Sequence, residues 1–127
     1  MATILLIDDD VALLKSVTRW LASLGHEVHP APNGLEALQI LDSVEVALVL
    51  SDINMPEMDG IEVLAAVAER DPAIPVVAMS GGGLLPKELL LDNASVLGAV
   101  ATIRKPFTPD ELRAVVEEFL AGPPGVS

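Results

Sequence analysis

The sequence predicts an α/β domain, a doubly wound five-stranded parallel sheet with five helices. Three observations lead there. Short apolar runs alternate, five times over, with stretches whose apolar residues recur at helical spacing. The runs at residues 3–7 and 46–50 lack the polar alternation of a half-exposed strand, as strands covered on both faces do. Four of the runs stop at chemically pointed residues: Asp8, Asp52, Ser80 and Lys105. Strands of a parallel sheet end on one edge, so these residues converge on one rim, where open α/β sheets keep their ligand sites.

Taken in order, residues 3–7 form the first strand and stop at Asp8-Asp9-Asp10. Asp9 or Asp10 caps a helix whose apolar residues Leu13, Leu14, Val17, Trp20, Leu21 and Leu24 share a face until Gly25 ends it. Residues 26–30 read as a second strand, and Asn33-Gly34-Leu35-Glu36 has the capping-box spacing that opens a helix through Leu41. The central strand, 46–50, delivers Asp52 to its end. A buried helix is the competing reading, set aside because the run is short and Asn54-Met55-Pro56 and Met58-Asp59-Gly60 break the chain right after it.

Asp59-Gly60-Ile61-Glu62 caps a third helix ending near Arg70, and residues 74–79 form a fourth strand that finishes at Ser80-Gly81-Gly82-Gly83. A fourth helix runs from about residue 84 or 86 to 96, and Gly98 ends it. The fifth strand, 100–104, leads into Lys105-Pro106-Phe107. Thr108-Pro109-Asp110-Glu111 then combines an N-cap, a proline at the first helical position and a capping glutamate. The last helix buries Leu112, Val115, Val116, Phe119 and Leu120. The expected domain is residues 1–121, with 122–127 as a tail or the start of a linker.

At 127 residues the chain has the size of one domain. The absence of cysteine excludes disulfides and thiolate metal sites and fits a reducing compartment. Nineteen acidic against seven scattered basic side chains give a net charge of −12, which repels nucleic acid. Residues 1–7 carry no basic leader and reach Asp8 too soon for a signal peptide or membrane span, so the expected setting is the cytoplasm.

Three carboxylates on one rim repel, by roughly 4 kcal/mol for each unit pair about 4 Å apart at a partly exposed site. An all-oxygen cluster answers this best with a hard cation, Mg²⁺, which keeps waters and shares its remaining positions with a phosphate. Lys105 offers a second positive charge and Ser80 a hydroxyl donor, a set suited to a phosphoryl group. Asp52 is then either a third metal ligand or the nucleophile that accepts the phosphoryl group, and spacing leaves both open. Gly81-Gly82-Gly83 lacks the lysine and hydroxyl of a P-loop and reads as a loop that closes over the phosphoryl group with Ser80. His26 and His29 flank an edge strand without a partner carboxylate at ligand spacing and read as surface residues. The leucines at 84, 85, 89, 90 and 91 exceed one core stripe, which suggests a partner or dimer surface made by the fourth helix, fifth strand and fifth helix.

Ile7-Asp8-Asp9, the run from Ser51-Asp52 through Met58-Asp59-Gly60, Met79-Ser80-Gly81 and Lys105-Pro106-Phe107 together resemble, in order and spacing, the receiver domain of two-component response regulators. The resemblance covers about residues 2–120. It implies the flavodoxin-like strand order 2-1-3-4-5. It makes Asp52 the phosphoacceptor, attacking a phosphohistidine on a histidine kinase or a histidine phosphotransfer protein. It implies Mg²⁺ bound by Asp9, Asp52 and the Asn54 backbone carbonyl, with Asp8 acting largely through metal-bound water. Lys105, Ser80 and Gly81 would stabilise the phosphoryl group, and the Lys105–Pro106 bond would be cis.

The chain departs from the family at Thr102, where many receivers carry an aromatic residue that rotates as the hydroxyl residue moves. With Ser80, Thr102 is the switch position, and the usual aromatic readout is missing. The implied function is a Mg²⁺-dependent phosphoacceptor that switches binding to a downstream protein rather than turning over an external substrate. Two alternatives stand beside it: an interaction module that signals without phosphate, and a hydrolase of the aspartyl-phosphate kind. The hydrolase reading suffers from Asn54, where such enzymes usually carry a second aspartate, and from the lack of room for a cap domain.

Overall fold

The computed structural model describes residues 2–52, 65–67, 69–70, 74–81 and 99–120. Five parallel strands, β1 (Thr3–Ile7), β2 (Glu27–Ala31), β3 (Leu48–Asp52), β4 (Val76–Gly81) and β5 (Ala99–Lys105), lie in the order β2-β1-β3-β4-β5. This is the expected order. The helices α1 (Val11–Ser23) and α2 (Gly34–Ser43) and a C-terminal helix (Pro109–Leu120) are joined by helical residues at 65–67 and 69–70. The expected turn after Asp52, the fourth helix, Gly82-Gly83 and the tail lie outside the described residues.

Alternation along the strands divides the core into two layers. Leu5, Ile7, Val49 and Ala78 pack with Ala31, Ala37 and Val67 on one face. Ile4, Leu6, Leu48, Leu50, Val77, Met79 and Ile103 pack with Leu14, Val17 and Leu21 of α1 and Leu112 and Val116 of the C-terminal helix on the other. Both faces of β1 and β3 are therefore covered, which is why their sequences read as unbroken apolar runs. Val115, Phe119 and Leu120 are half-buried at the margin of that second layer.

The helix ends follow local chemistry. Asp10, not Asp9, caps α1 by accepting a hydrogen bond from the Leu13 N–H at 3.2 Å. At its far end Gly25 has φ +93°, the Gly25 N–H donates to the Ala22 carbonyl and the His26 N–H to the Leu21 carbonyl, the paired bonds of a Schellman turn. Asn33 accepts from the Glu36 N–H at 2.9 Å, and Thr108 from the Glu111 N–H at 3.1 Å.

Strand limits shift from the sequence reading for identifiable reasons. Pro75 has no N–H to give, so β4 starts at Val76, two residues later than expected, while the Pro75 carbonyl still accepts from the Val49 N–H. β3 begins at Leu48 because Val46 and Ala47 form its entry, the Ala47 N–H donating to the Thr3 carbonyl. On the edge strand β2, the Glu27 N–H donates to Ala2 and the Ala31 carbonyl accepts from Asp8, so the alternate residues Val28 and Pro30 direct their backbone outward. Pro30 thus costs the sheet no hydrogen bond and blunts its edge.

Candidate functional site

Strand register assembles the rim. Ile7 is abreast of Ser51, so Asp8 and Asp52 leave neighbouring strands side by side, and Asp52 is in turn abreast of Met79. A shift between Val76 and Val77 inserts one extra residue of β5, Val100, after which Gly81 lies opposite Lys105. The backbones of Ser80 and Gly81 therefore reach the same edge as Asp52 and Lys105. The Lys105–Pro106 bond is cis, as the family resemblance implies.

Asp8 is fully buried and Asp52 nearly so, whereas Asp9 is exposed. Carboxylate oxygens of the three lie within 4.8 Å of one another. Lys105 reaches into the cluster, its Nζ 2.5 Å from Asp8 Oδ2 and 3.5 Å from Asp52 Oδ2. The other Asp8 oxygen accepts from the Asp10 N–H at 2.9 Å. Asp10 is thus the helix cap and a backbone support for Asp8, outside the acidic cluster itself.

Burial pushes the Asp8 carboxyl above its ordinary range, and the neighbouring Asp52 charge adds to this against the Lys105 and Asp10 hydrogen bonds. For Lys105, burial alone lowers the ammonium, but the Asp8 hydrogen bond and the charges of Asp8 and Asp52 outweigh it and leave it above 10.5. Among the described residues one ammonium, that of Lys105, faces these three carboxylates, and a divalent cation can offset the remaining negative charge. The donors are all hard oxygens, two of them on nearly dry side chains, which suits Mg²⁺ in preference to a thiolate- or imidazole-seeking metal.

The histidines lie away from this rim. His29 Nε2 pairs with Glu27 Oε2 at 2.8 Å, a partner carboxylate two residues back on the same strand face that the sequence reading missed. His26 Nδ1 accepts from the Ala2 N–H at 3.2 Å, and burial lowers its pKa. Asn54 and Gly82-Gly83 lie outside the described residues.

A doubly wound sheet with an acidic cluster and a lysine at its carboxyl edge defines a class of phosphate-handling α/β proteins. Within that class, the family model of the response regulator receiver domain matches residues 4–117, and the chain belongs to this family. It is 34% identical over 117 residues to the sporulation initiation phosphotransferase F of Bacillus subtilis, covering 92% of both chains. It is 34% identical to the transcriptional regulatory protein GlrR of Escherichia coli, covering 94% of this chain but 26% of that one, so it spans about a quarter of that relative. Among solved structures it resembles a CheY-like receiver domain protein of Methanospirillum hungatei (TM-score 0.87, 31% identity, 94% of each chain). The chemotaxis protein CheY4 of Vibrio cholerae is also similar (TM-score 0.85, 28% identity, 94% of this chain and 98% of that one). The expected family and strand order hold, and the chain is a phosphoacceptor receiver domain of two-component signalling. No helix among the described residues is long and apolar enough to cross a membrane.

Proposed function

We propose that Asp52 is the residue that accepts the phosphoryl group, in a Mg²⁺-dependent reaction with a phosphohistidine on a sensor kinase or phosphotransfer protein. The observation that carries this is the meeting of Asp8, Asp9 and Asp52 within 4.8 Å, with Lys105 3.5 Å from Asp52. An Asp52 oxygen attacks phosphorus, the O–P bond forms as the P–N bond breaks, and the imidazole leaves with the electron pair. Asp9 and Asp52, with the Asn54 backbone carbonyl, would hold Mg²⁺, and Asp8 would orient water on it. The ion supplies charge neutralisation for the phosphoryl oxygens and the crowded carboxylates.

Lys105 sits on the strand end beside Gly81 and needs only a small shift from Asp8 to meet a phosphoryl oxygen. Ser80 supplies a hydroxyl donor and the Gly81 backbone an N–H. Thr102, in place of an aromatic, leaves the altered rim to be read by a partner, through the loops and the surface of the fourth helix, fifth strand and fifth helix. Such a switch works in the cytoplasm, where a sensor kinase keeps its phosphohistidine.

The test is intact mass after incubation with a small phosphodonor, with and without Mg²⁺, for the wild type and Asp52→Ala. A single phosphoryl adduct that needs Mg²⁺ and vanishes in Asp52→Ala supports the assignment. An adduct that persists in Asp52→Ala, or turnover of a phosphate ester without an adduct, overturns it.

A further inference from the structure

Two of the concave surfaces that helix α1 lines have no residue in common. One, with Ala12, Leu13, Ser16 and Trp20, faces Lys105 and Phe107 beside the acidic rim. The other faces away from Lys105, toward the blunted edge of the sheet, and forms an open groove of about 530 Å³ between α1 and β2. Its apolar surface is built by Val11, Leu14, Ala22, Pro30 and Pro32, and Val11 is 56% exposed there although it begins the helix beside a core.

Lys15 and Arg19, one helical turn apart, border this groove. Among the described residues Arg70 pairs with Asp42, Lys105 with Asp8 and Arg113 with Glu117, whereas Lys15 and Arg19, like Arg104 on β5, form no ion pair. In a chain of net charge −12, two uncommitted cations beside an apolar groove are a local reversal of sign.

The form of the occupant follows from the edge strand. Pro30 lacks an N–H at an outward-facing position, which weakens the edge as a template for a partner strand and favours a helix as the occupant. The groove instead follows α1 from Val11 to Ala22, about 16 Å or three turns. We propose that this groove docks an acidic amphipathic helix of a partner protein, its apolar stripe on Val11, Leu14 and Pro30 and its carboxylates, one turn apart, on Lys15 and Arg19. The surface is separate from the phosphoacceptor rim, and the proposal does not rest on the role of Asp52.

The test uses a fluorescein-labelled synthetic peptide of about 14 residues, with leucines at helical spacing and glutamates one turn apart beside them. Anisotropy is expected to give a Kd of roughly 10–100 μM that tightens at low salt. Amide shifts on the isotope-labelled protein are expected at residues 11–22 and 28–32. The double variant Lys15→Glu/Arg19→Glu is expected to weaken binding by about tenfold or more. Val11→Asp, which places an acid favourably at a helix start and so preserves the fold, is expected to weaken it as well. A peptide carrying lysines for glutamates is expected not to bind. The proposal is overturned if the acidic peptide fails to bind, if charge reversal leaves Kd unchanged, or if the shifts fall on the flank formed with residues 105–107.

Discussion

Lys105 Nζ lies 2.5 Å from Asp8 Oδ2, an ammonium committed to the one fully buried carboxylate of the rim while only 3.5 Å from Asp52. Lys105 therefore does two jobs: it compensates the acidic cluster in the protein alone, and it is within reach of a phosphoryl group on Asp52.

Removing that ammonium exposes the first job. Lys105→Met removes the ammonium that pairs with buried Asp8 and lies 3.5 Å from Asp52, and is expected to cost about 3 kcal/mol in urea unfolding. Added Mg²⁺ should recover a larger share of stability in Lys105→Met than it adds to the wild type, because the ion then replaces a missing charge. An equal Mg²⁺ increment in both proteins would contradict the compensating role.

Neutralising Asp8 should act in the opposite direction. Burial raises its pKa above 3.8, so the folded protein holds this proton more tightly than the unfolded chain. Stability is thus lost as pH rises from 3.8 through the raised folded-state value, and at neutral pH the ionised group is a net cost. Asp8→Asn keeps an oxygen for the Asp10 N–H and is expected to be more stable than the wild type at neutral pH while losing the stabilisation by Mg²⁺. Thermal unfolding with and without Mg²⁺ measures both.

The alkaline limb isolates Lys105. Its pKa is raised above 10.5, so its contribution is whole below 10.5 and disappears as pH climbs through the higher folded-state value. The chain has no tyrosine and no cysteine, so among side chains other than arginine only Lys15, Lys87 and Lys105 titrate there. The urea midpoint of the wild type should fall more steeply than that of Lys105→Met between pH 10.5 and about pH 12. Parallel curves would remove Lys105 as the cause.

Gly25 gives a test of the fold away from the site. It has φ +93° and open space where a Cβ would stand, so Gly25→Ala pays only the conformational penalty. The expected loss is about 1 kcal/mol, with Gly25→Asn losing less because asparagine tolerates this region. A loss several times larger would mean that the Schellman turn also fixes the start of β2.

Elements set by contacts between near neighbours could be read from the sequence. Caps at Asn33 and Thr108 and the stop at Gly25 are local chemistry, settled within a few residues. The apolar runs of β1 and β3 announce burial on both faces, and the carboxylates and lysine at strand ends foretold one rim once the sheet was parallel. The motifs of the family supplied the strand order, which periodicity alone does not contain.

Register and burial were decided only by the tertiary structure. The extra residue in β5 that brings Lys105 opposite Gly81 has no local signal, because it depends on how β5 meets β4 across a long separation in sequence. The choice of Asp8 as the lysine's partner arises because Asp8 is dry and Asp9 is in water, a difference made by the packing around β1 and invisible in three consecutive aspartates. The uncommitted pair of Lys15 and Arg19 likewise became visible only when β2 placed Pro30 and Pro32 beside them. Sequence determines which groups can interact with neighbours along the chain, and the folded sheet determines which distant groups share a surface and which of them lose water.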